Sequence, residues 1–405
     1  MNGRRVVYLS TAGVVGGAER DLLEVVAAVR EARPAWRLGV VLGAEGPLRG
    51  AVEALGVDCR VVPLPGAVAR LGDAGLRGAG GLLRLAAGAA AASGPAAAYL
   101  ARLRRALASW APARVQTNDM KAHLLGAWAT PRGVPVCWYL QDYPGPRPAM
   151  ARLLRAAARA RGGRRLAPVA ISAAVAADAA AVLGRPVPAV EPAVDLREFA
   201  PEGPADDLDA ASGLPPAPAA AVRVGLVAAF ARWKGHEVFL EAVARLGPAA
   251  PARFYVVGGP IYRRAQAQYS LEELRDRARA LGAGDRVGFT GHRADPAAAL
   301  RALDVVVHAS TRPEPFGRVI AEAMACGRPV VAARDSGALG PDPASGAALA
   351  LPGGDPAALA ATLALLIADA DLRRRLGAAG RRAAVARFDR AALARRWMTV
   401  YSGTR

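Results

Sequence analysis

The chain has 405 residues, 53% of them hydrophobic and 21% charged, a balance that fits a folded globular protein and excludes a disordered one. That length allows two domains of ordinary size. The net charge of +19 comes from 53 basic against 34 acidic residues, and only Lys121 and Lys234 among the basic ones are lysine. The remaining arginines stand in a background of Ala, Gly and Pro that has the look of a GC-rich coding bias. A basic surface favours anionic partners without naming one. Lysine survives only in two candidate functional segments, where a compact ammonium differs in kind from a guanidinium. Cys59, Cys137 and Cys326 lie far apart, so neither a disulfide framework nor a zinc site is expected, and a reducing cytoplasm fits. MNGRRVVYLS has too short an apolar run for a signal peptide, and Leu85–Ala101 is too poor in large apolar residues for a membrane span.

In chain order, Arg5–Ser10 reads as a strand, Thr11–Gly17 as a glycine-rich loop, and about Ala18 to Glu31 as a helix. Gly13, Gly16 and Gly17 let backbone approach a ligand closely. The spacing is not the dinucleotide fingerprint, which argues against a nicotinamide or flavin site. Strands follow at Leu38–Leu42 and Arg60–Val62, and residues 66–110 are basic and helical in character. Val115–Thr117 is a strand, and NDMKAHLLGAWA a helix from near Asp119 with Lys121 and His123 in its first turn. Then come a strand at Val134–Leu140, the segment QDYPGPRP, a basic helix within Arg147–Arg165, and a strand at Pro168–Ser172. A helix at Ala173–Leu183 and a strand at Val187–Val190 complete a first domain, residues 1–192. Residues 193–221 read as a linker, its PEGPADDLDAASGLPPAPAA lacking any periodicity.

Strand–helix alternation then starts afresh, marking a second domain over 222–384. Val222–Ala228 is a continuous apolar strand of the kind buried in a parallel sheet, running into FARWKGHEVFLEAVARL. Lys234, at a strand end before a helix, is well placed to neutralise a diphosphate. Arg253–Val257, Leu271–Leu281 and Val287–Phe289 continue the pattern. In DVVVHASTRPEPFGRVIAEAMACGRPVVAA a strand, Val305–His308, leads through a polar turn to a helix from about Phe316 to Cys326 and a strand at Val330–Ala333. Pro315 suits the first helical position and Gly327 the residue past the end. The amides of Phe316, Gly317 and Arg318 are donors for an anionic phosphate. Glu314 stands in the loop, and Glu322 about two turns into the helix. A strand at Leu349–Leu351, two helices within Asp355–Arg387, and a last helix over 385–405 that returns to the first domain close the chain.

Two glutamates in an E-x7-E spacing around Pro-Phe-Gly resemble the donor-site motif of the retaining glycosyltransferases of family 4. The resemblance spans nearly the whole chain and is strongest over residues 225–335. It implies a GT-B fold: an α/β protein of two Rossmann-like, doubly wound domains facing each other across a cleft. Glu314 would then lie against the transferred sugar and Glu322 would hold the ribose hydroxyls. The GGAER loop, with Gly16 and Gly17, would face the donor diphosphate. Lys234 matches the family's lysine there; the usual arginine place holds Ala229, so Arg232 would act instead. Thr290 and Gly291 would line the nucleobase pocket, and Phe316, Gly317 and Arg318 complete the donor site. Where relatives carry a histidine before Asp-Tyr-Pro this chain has Tyr139 and Gln141, leaving Asp142, Tyr143 and Pro144 in common. His123 is then the candidate catalytic histidine, with Lys121, Asp142 and Tyr143 on the acceptor side. The domain crossing keeps Val194, Asp195 and Phe199 but has Pro192 and Ala193 where Asn-Gly is usual.

The reading is a metal-independent, cytoplasmic hexosyltransferase without a resident cofactor. It would move sugar from a nucleoside-diphosphate sugar to a hydroxyl of a glycan, lipid or secondary metabolite. Peripheral contact with the inner membrane face is open, and nucleic acid is not expected as a partner. Two alternatives stay open: a sugar-nucleotide epimerase or phosphorylase on the same fold, and a non-catalytic binder of anionic polymer.

Overall fold

The computed structural model describes residues 4–69, 79–162, 165–260, 267–340 and 346–403. The chain divides into two compact units, Met1–Ala193 with Arg390–Arg405, and Val194–Asp389.

The first unit runs β1 (Arg5–Ser10), α1 (Gly17–Ala32), β2 (Arg37–Leu42), α2 (Pro47–Ala54), β3 (Asp58–Val61), α3 (Gly66–Ala69), α4 (Ala79–Ser109), β4 (Arg114–Thr117), α5 (Met120–Ala129), β5 (Val136–Leu140), α6 (Pro148–Arg161), β6 (Leu166–Ala170) and α7 (Ala173–Leu183). Its six strands form one parallel sheet in the order β3-β2-β1-β4-β5-β6. The order reverses beside β1, so the loops after β1 and β4 diverge there, as at the ligand crevice of open α/β sheets. Val7, Leu9, Val41 and Val115 are fully buried under α4 and α5. Each such side chain contributes about 1.5–3 kcal/mol.

The second unit runs α8 (Leu208–Ser212), β7 (Val222–Val227), a 3₁₀ turn (Arg232–Lys234), α9 (His236–Leu246), β8 (Ala252–Val257), α10 (Leu271–Ala280), β9 (Val287–Gly291), α11 (Pro296–Arg301), β10 (Val305–His308), α12 (Arg318–Ala325), β11 (Val330–Ala333), β12 (Leu349–Leu351), α13 (Pro356–Ala368) and α14 (Ala370–Arg387). The six parallel strands are ordered β12-β11-β10-β7-β8-β9. Val224, Val305 and Val307 are completely buried, as the unbroken apolar runs of β7 and β10 require. The closing helix, α15 (Arg390–Gly403), belongs to the first unit. There Arg390 pairs with Glu24 and Glu31 at 2.9 Å each, and the Tyr401 hydroxyl donates to Gln116 at 2.5 Å.

Three expectations change. Residues 194–221 are not a free linker but part of the second unit. Asp207 caps α8, and buried Asp209 accepts from the Tyr255 hydroxyl at 2.7 Å and from the Ala217 amide. Val187–Val190 makes only an isolated bridge, Ala170 to Ala189, because Pro186 and Pro188 have no N–H for a ladder. The helix after β10 starts at Arg318, not at Pro315 or Phe316, since Gly317 at φ 88° lies in the left-handed region and cannot continue a right-handed turn. Within the basic stretch 66–110 the structure has α3 and then α4, which carries Pro95; residues 70–78 lie outside the described residues.

Candidate active site

The second unit gathers its functional candidates where the loops after β7 and β10 meet. Gly235, at φ 77°, ends the 3₁₀ turn directly beneath the Ala309 carbonyl, and any Cβ there would run into that oxygen. The Thr311 amide donates to the Trp233 carbonyl at 2.8 Å, tying the two loops together. Lys234 is thereby aimed at Glu314, with Nζ 2.6 Å from Oε2 and both side chains largely buried. The Glu314 backbone is held on both sides: its amide donates to Asp335 at 2.9 Å and its carbonyl accepts from Gly337 at 3.1 Å.

Three groups converge on Oε2 of Glu314. Besides Lys234, the Ser310 hydroxyl donates at 3.0 Å, and His308 Nε2 lies 3.4 Å away. His308 is 3% exposed, and its Nδ1 meets the Ser336 hydroxyl at 3.3 Å. With Nε2 as donor to the carboxylate, Nδ1 can accept a hydrogen bond from the Ser336 hydroxyl. Burial would raise the Glu314 carboxyl, but the hydrogen bond from His308 and the charge of Lys234 outweigh it, holding the group well below the usual carboxylate range. Glu314 is therefore a fixed negative charge. Its Oε1 has no partner among the described residues.

One turn into α12, Arg318 Nε lies 3.1 Å from Glu322 Oε1, and both side chains are about nine-tenths buried. Glu322 Oε2 likewise has no partner among the described residues. Each carboxylate thus has one oxygen anchored by protein and one open. Gly317 brings the chain past Glu314 Cγ and His308 Nε2, each within ordinary contact of where a Cβ would sit. Phe316 is buried edge-on to Phe388 with centroids 5.6 Å apart, so it anchors the loop.

Arg232 is not in this cluster. It pairs with Glu273 at 2.9 Å and lies over the Tyr269 ring at 4.4 Å. Thr290 and Gly291 end β9, the edge strand on the far side of β8, where the Gly291 carbonyl accepts from Gly258 at 3.0 Å. No contact joins them to Glu314.

In the first unit, the Gly16 amide donates to Glu19 Oε2 at 3.0 Å at the start of α1, and Gly17 is its first residue. Gly13 serves packing: it lies against the Ala44 and Glu45 carbonyls, leaving no room for a side chain. Asp119, unmarked as a site residue in the sequence, caps α5 through Ala122 and accepts from the Thr11 amide and hydroxyl at 2.6 and 2.9 Å. It fixes the mouth of the glycine-rich loop. Lys121 donates to the Ala69 carbonyl, and Asp142 pairs with Arg147 at 2.6 Å and accepts from the Tyr143 amide. His123 is corrected from catalytic candidate to core residue. It is fully buried, its Nδ1 is 2.6 Å from the Thr117 hydroxyl, and it stacks on Trp138. Burial pulls its pKa down to about 3, which favours a neutral ring in the core.

Comparison with known proteins places the chain among glycosyltransferase-like sequences and folds. Residues 221–369 match the family of glycosyl transferases group 1. Over 191 residues the chain is similar to D-inositol 3-phosphate glycosyltransferase of Corynebacterium urealyticum, 35% identical, covering 45% of this chain and 43% of that protein. It is also similar to the lipopolysaccharide core biosynthesis glycosyltransferase LpsE of Rhizobium meliloti, 34% identical over 178 residues, 44% of this chain and 48% of the relative. These matches span less than half the length of each relative. Over 98% of the chain the fold follows HepE of Anabaena, whose crystal structure holds UDP and glucose, with a TM-score of 0.77, 24% identity and 99% of HepE covered. Two Rossmann-like parallel sheets, the second within the unit that holds the matched segment, make this the GT-B fold. The motif residues Lys234, Glu314 and Glu322 all fall inside the matched segment.

Proposed function

We propose that the protein is a retaining family 4 glycosyltransferase. It moves a hexosyl group from a nucleoside-diphosphate sugar to a hydroxyl of a glycan, lipid or other polar acceptor. The observation that carries this reading is the Lys234–Glu314 pair with Glu322 following on α12. It sets one cation, two half-anchored carboxylates and a helix N-terminus at the carboxyl ends of parallel strands.

In this reading Lys234 and the first amides of α12 take up the charge on the departing diphosphate, without a resident metal. Glu314, held anionic, supports positive charge developing at the anomeric carbon with its open Oε1. The bond from that carbon to the phosphate oxygen breaks as the acceptor oxygen bonds on the same face, and the acceptor proton passes to the departing phosphate. Glu314 needs no covalent role, unlike the paired carboxylates of retaining glycosidases. Glu322 Oε2 would accept from the ribose hydroxyls. Gly16, Gly17, Arg232, Thr290 and Gly291 remain donor-side candidates, and Lys121, Asp142 and Tyr143 acceptor-side ones. UDP-sugars are the donors to try first, given HepE. Among the described residues no helix is long and apolar enough to cross a membrane; a cytoplasmic site of action is part of the proposal.

The test is to incubate the protein with UDP-glucose and a panel of hydroxyl acceptors, following UDP release and the anomeric proton of the product by NMR. Release that needs acceptor, with an α-linked product, supports the reading. An epimerised sugar nucleotide formed without acceptor points to the epimerase instead.

A further inference from the structure

The helical layer of the first unit holds a second feature, unconnected with sugar transfer. From Ser93 to Arg165 the sequence has twelve arginines and two carboxylates, Asp119 and Asp142. Both carboxylates are committed elsewhere, Asp119 as the cap of α5 and Asp142 to Arg147. At the other end of α5, about 15 Å along the helix, a groove of about 330 Å³ opens between Arg104, Trp128, Arg132, Arg161 and Arg165. Arg161 forms its floor, donating to the carbonyls of Ala127, Thr130, Pro131 and Val134 at 2.6–3.3 Å, which closes the end of α5. Arg104 donates to the Trp128 carbonyl at 3.0 Å. The guanidiniums of Arg132 and Arg165 have no partner among the described residues, and none of these arginines has a carboxylate. Burial lowers the Arg161 pKa, and repulsion from Arg165 and Arg104 lowers it further. Trp128 is 53% exposed at the rim, although the rest of α5 is mostly buried.

Like charges gathered without a counter-charge destabilise the free protein, and a half-exposed indole beside them adds apolar surface in contact with water. Both costs are relieved by one kind of ligand. We propose that this groove binds the phosphate of an anionic phospholipid headgroup, with Arg132 and Arg165 on the phosphate and Trp128 at the level of the glycerol backbone. Tryptophan prefers that interfacial depth, and arginine keeps its head in the phosphate layer while its stem lies against apolar surface.

The test is co-sedimentation of the full chain with vesicles of phosphatidylglycerol and phosphatidylcholine in equal parts, and with phosphatidylcholine alone. Wild type should pellet with the first and stay in solution with the second. Neutralising two arginines near an anionic surface should lower the partition constant roughly thirtyfold, so Arg132→Gln/Arg165→Gln should release the protein. These side chains make no internal bond, so the fold should survive. Arg275→Gln/Arg382→Gln, two exposed arginines of the second unit, gives the same change in net charge and should bind like wild type. Trp128→Ala should weaken binding without changing its salt dependence. Equal losses in both arginine pairs would overturn the proposal in favour of diffuse charge. So would no binding by wild type, or full displacement by millimolar glycerol phosphate, which would make the ligand a soluble phosphate ester. Sedimentation needs no turnover, so either result stands apart from the glycosyltransferase reading.

Discussion

Replacing Lys234 by alanine strands the Glu314 carboxylate, leaving Oε2 with only Ser310 and His308. Removing one partner of a fully buried ion pair costs about 3–5 kcal/mol. Here the side chains keep 20% and 15% of their exposure, so the expected cost is lower, about 2–3 kcal/mol. For a unit of this size that is a fall in Tm of about 4–12 °C. Glu314→Ala should cost less, because the freed ammonium can turn to water while a carboxylate wedged among His308, Ser310 and backbone cannot. The double variant removes both charges and should lose about 2 kcal/mol less than the sum of the singles. The assay is thermal unfolding of the full chain and of the three variants at neutral pH and low salt. Strictly additive losses would refute the claim that Lys234 and Glu314 are paired in the unliganded protein. Lys234→Ala should also weaken donor binding by about 10- to 100-fold, the loss of one charge-assisted hydrogen bond to phosphate.

Other consequences follow from single residues. Gly317→Ala forces an L-residue to φ 88° beside Ile320 and His308, and should cost about 1–2 kcal/mol in thermal unfolding. His123 has a folded-state pKa of about 3 against an ordinary 6.5, so its stabilising effect is present above about pH 6.5 and is lost as pH falls toward 3. His123→Leu should therefore remove about 2 kcal/mol of the stability lost between about pH 7 and pH 5, read from urea midpoints across that range. Arg232 pairs with Glu273 at the surface, so Arg232→Ala should leave stability within about 1 kcal/mol of wild type. Its donor KM should rise less than that of Lys234→Ala.

The two sheets were legible because their strands are short apolar runs bounded by Gly, Pro and Asp, and buried parallel strands need little else. The site was legible as far as its residue types go. Lys234 and Glu314 are 80 positions apart; each follows a strand and Glu314 opens the E-x7-E spacing, yet only the neighbouring places of β7 and β10 in the sheet bring them to 2.6 Å. The roles of His308 and Ser336 were not legible. They depend on β10 and β11 lying side by side, and a histidine closing an apolar strand reads as core. His123 misled in the opposite sense: a histidine near a helix start looks accessible, but α5 turns this one onto Trp138. Proline is common at a first helical position, and that preference at Pro315 masked the sign that Gly317, as a glycine, can take a left-handed conformation and delay the helix. The pairing of Arg232 with Glu273 on α10, 41 positions away, was likewise not legible.

The central claim is that the second unit holds a nucleoside diphosphate through Glu322. Calorimetric titration of wild type and Glu322→Ala with UDP, GDP, dTDP and ADP tests it most directly. Loss of hydrogen bonds to a charged group should weaken the preferred nucleotide by about 10- to 100-fold in Glu322→Ala. Equal affinity in the two proteins, or no binding of any of the four by wild type, would contradict the account.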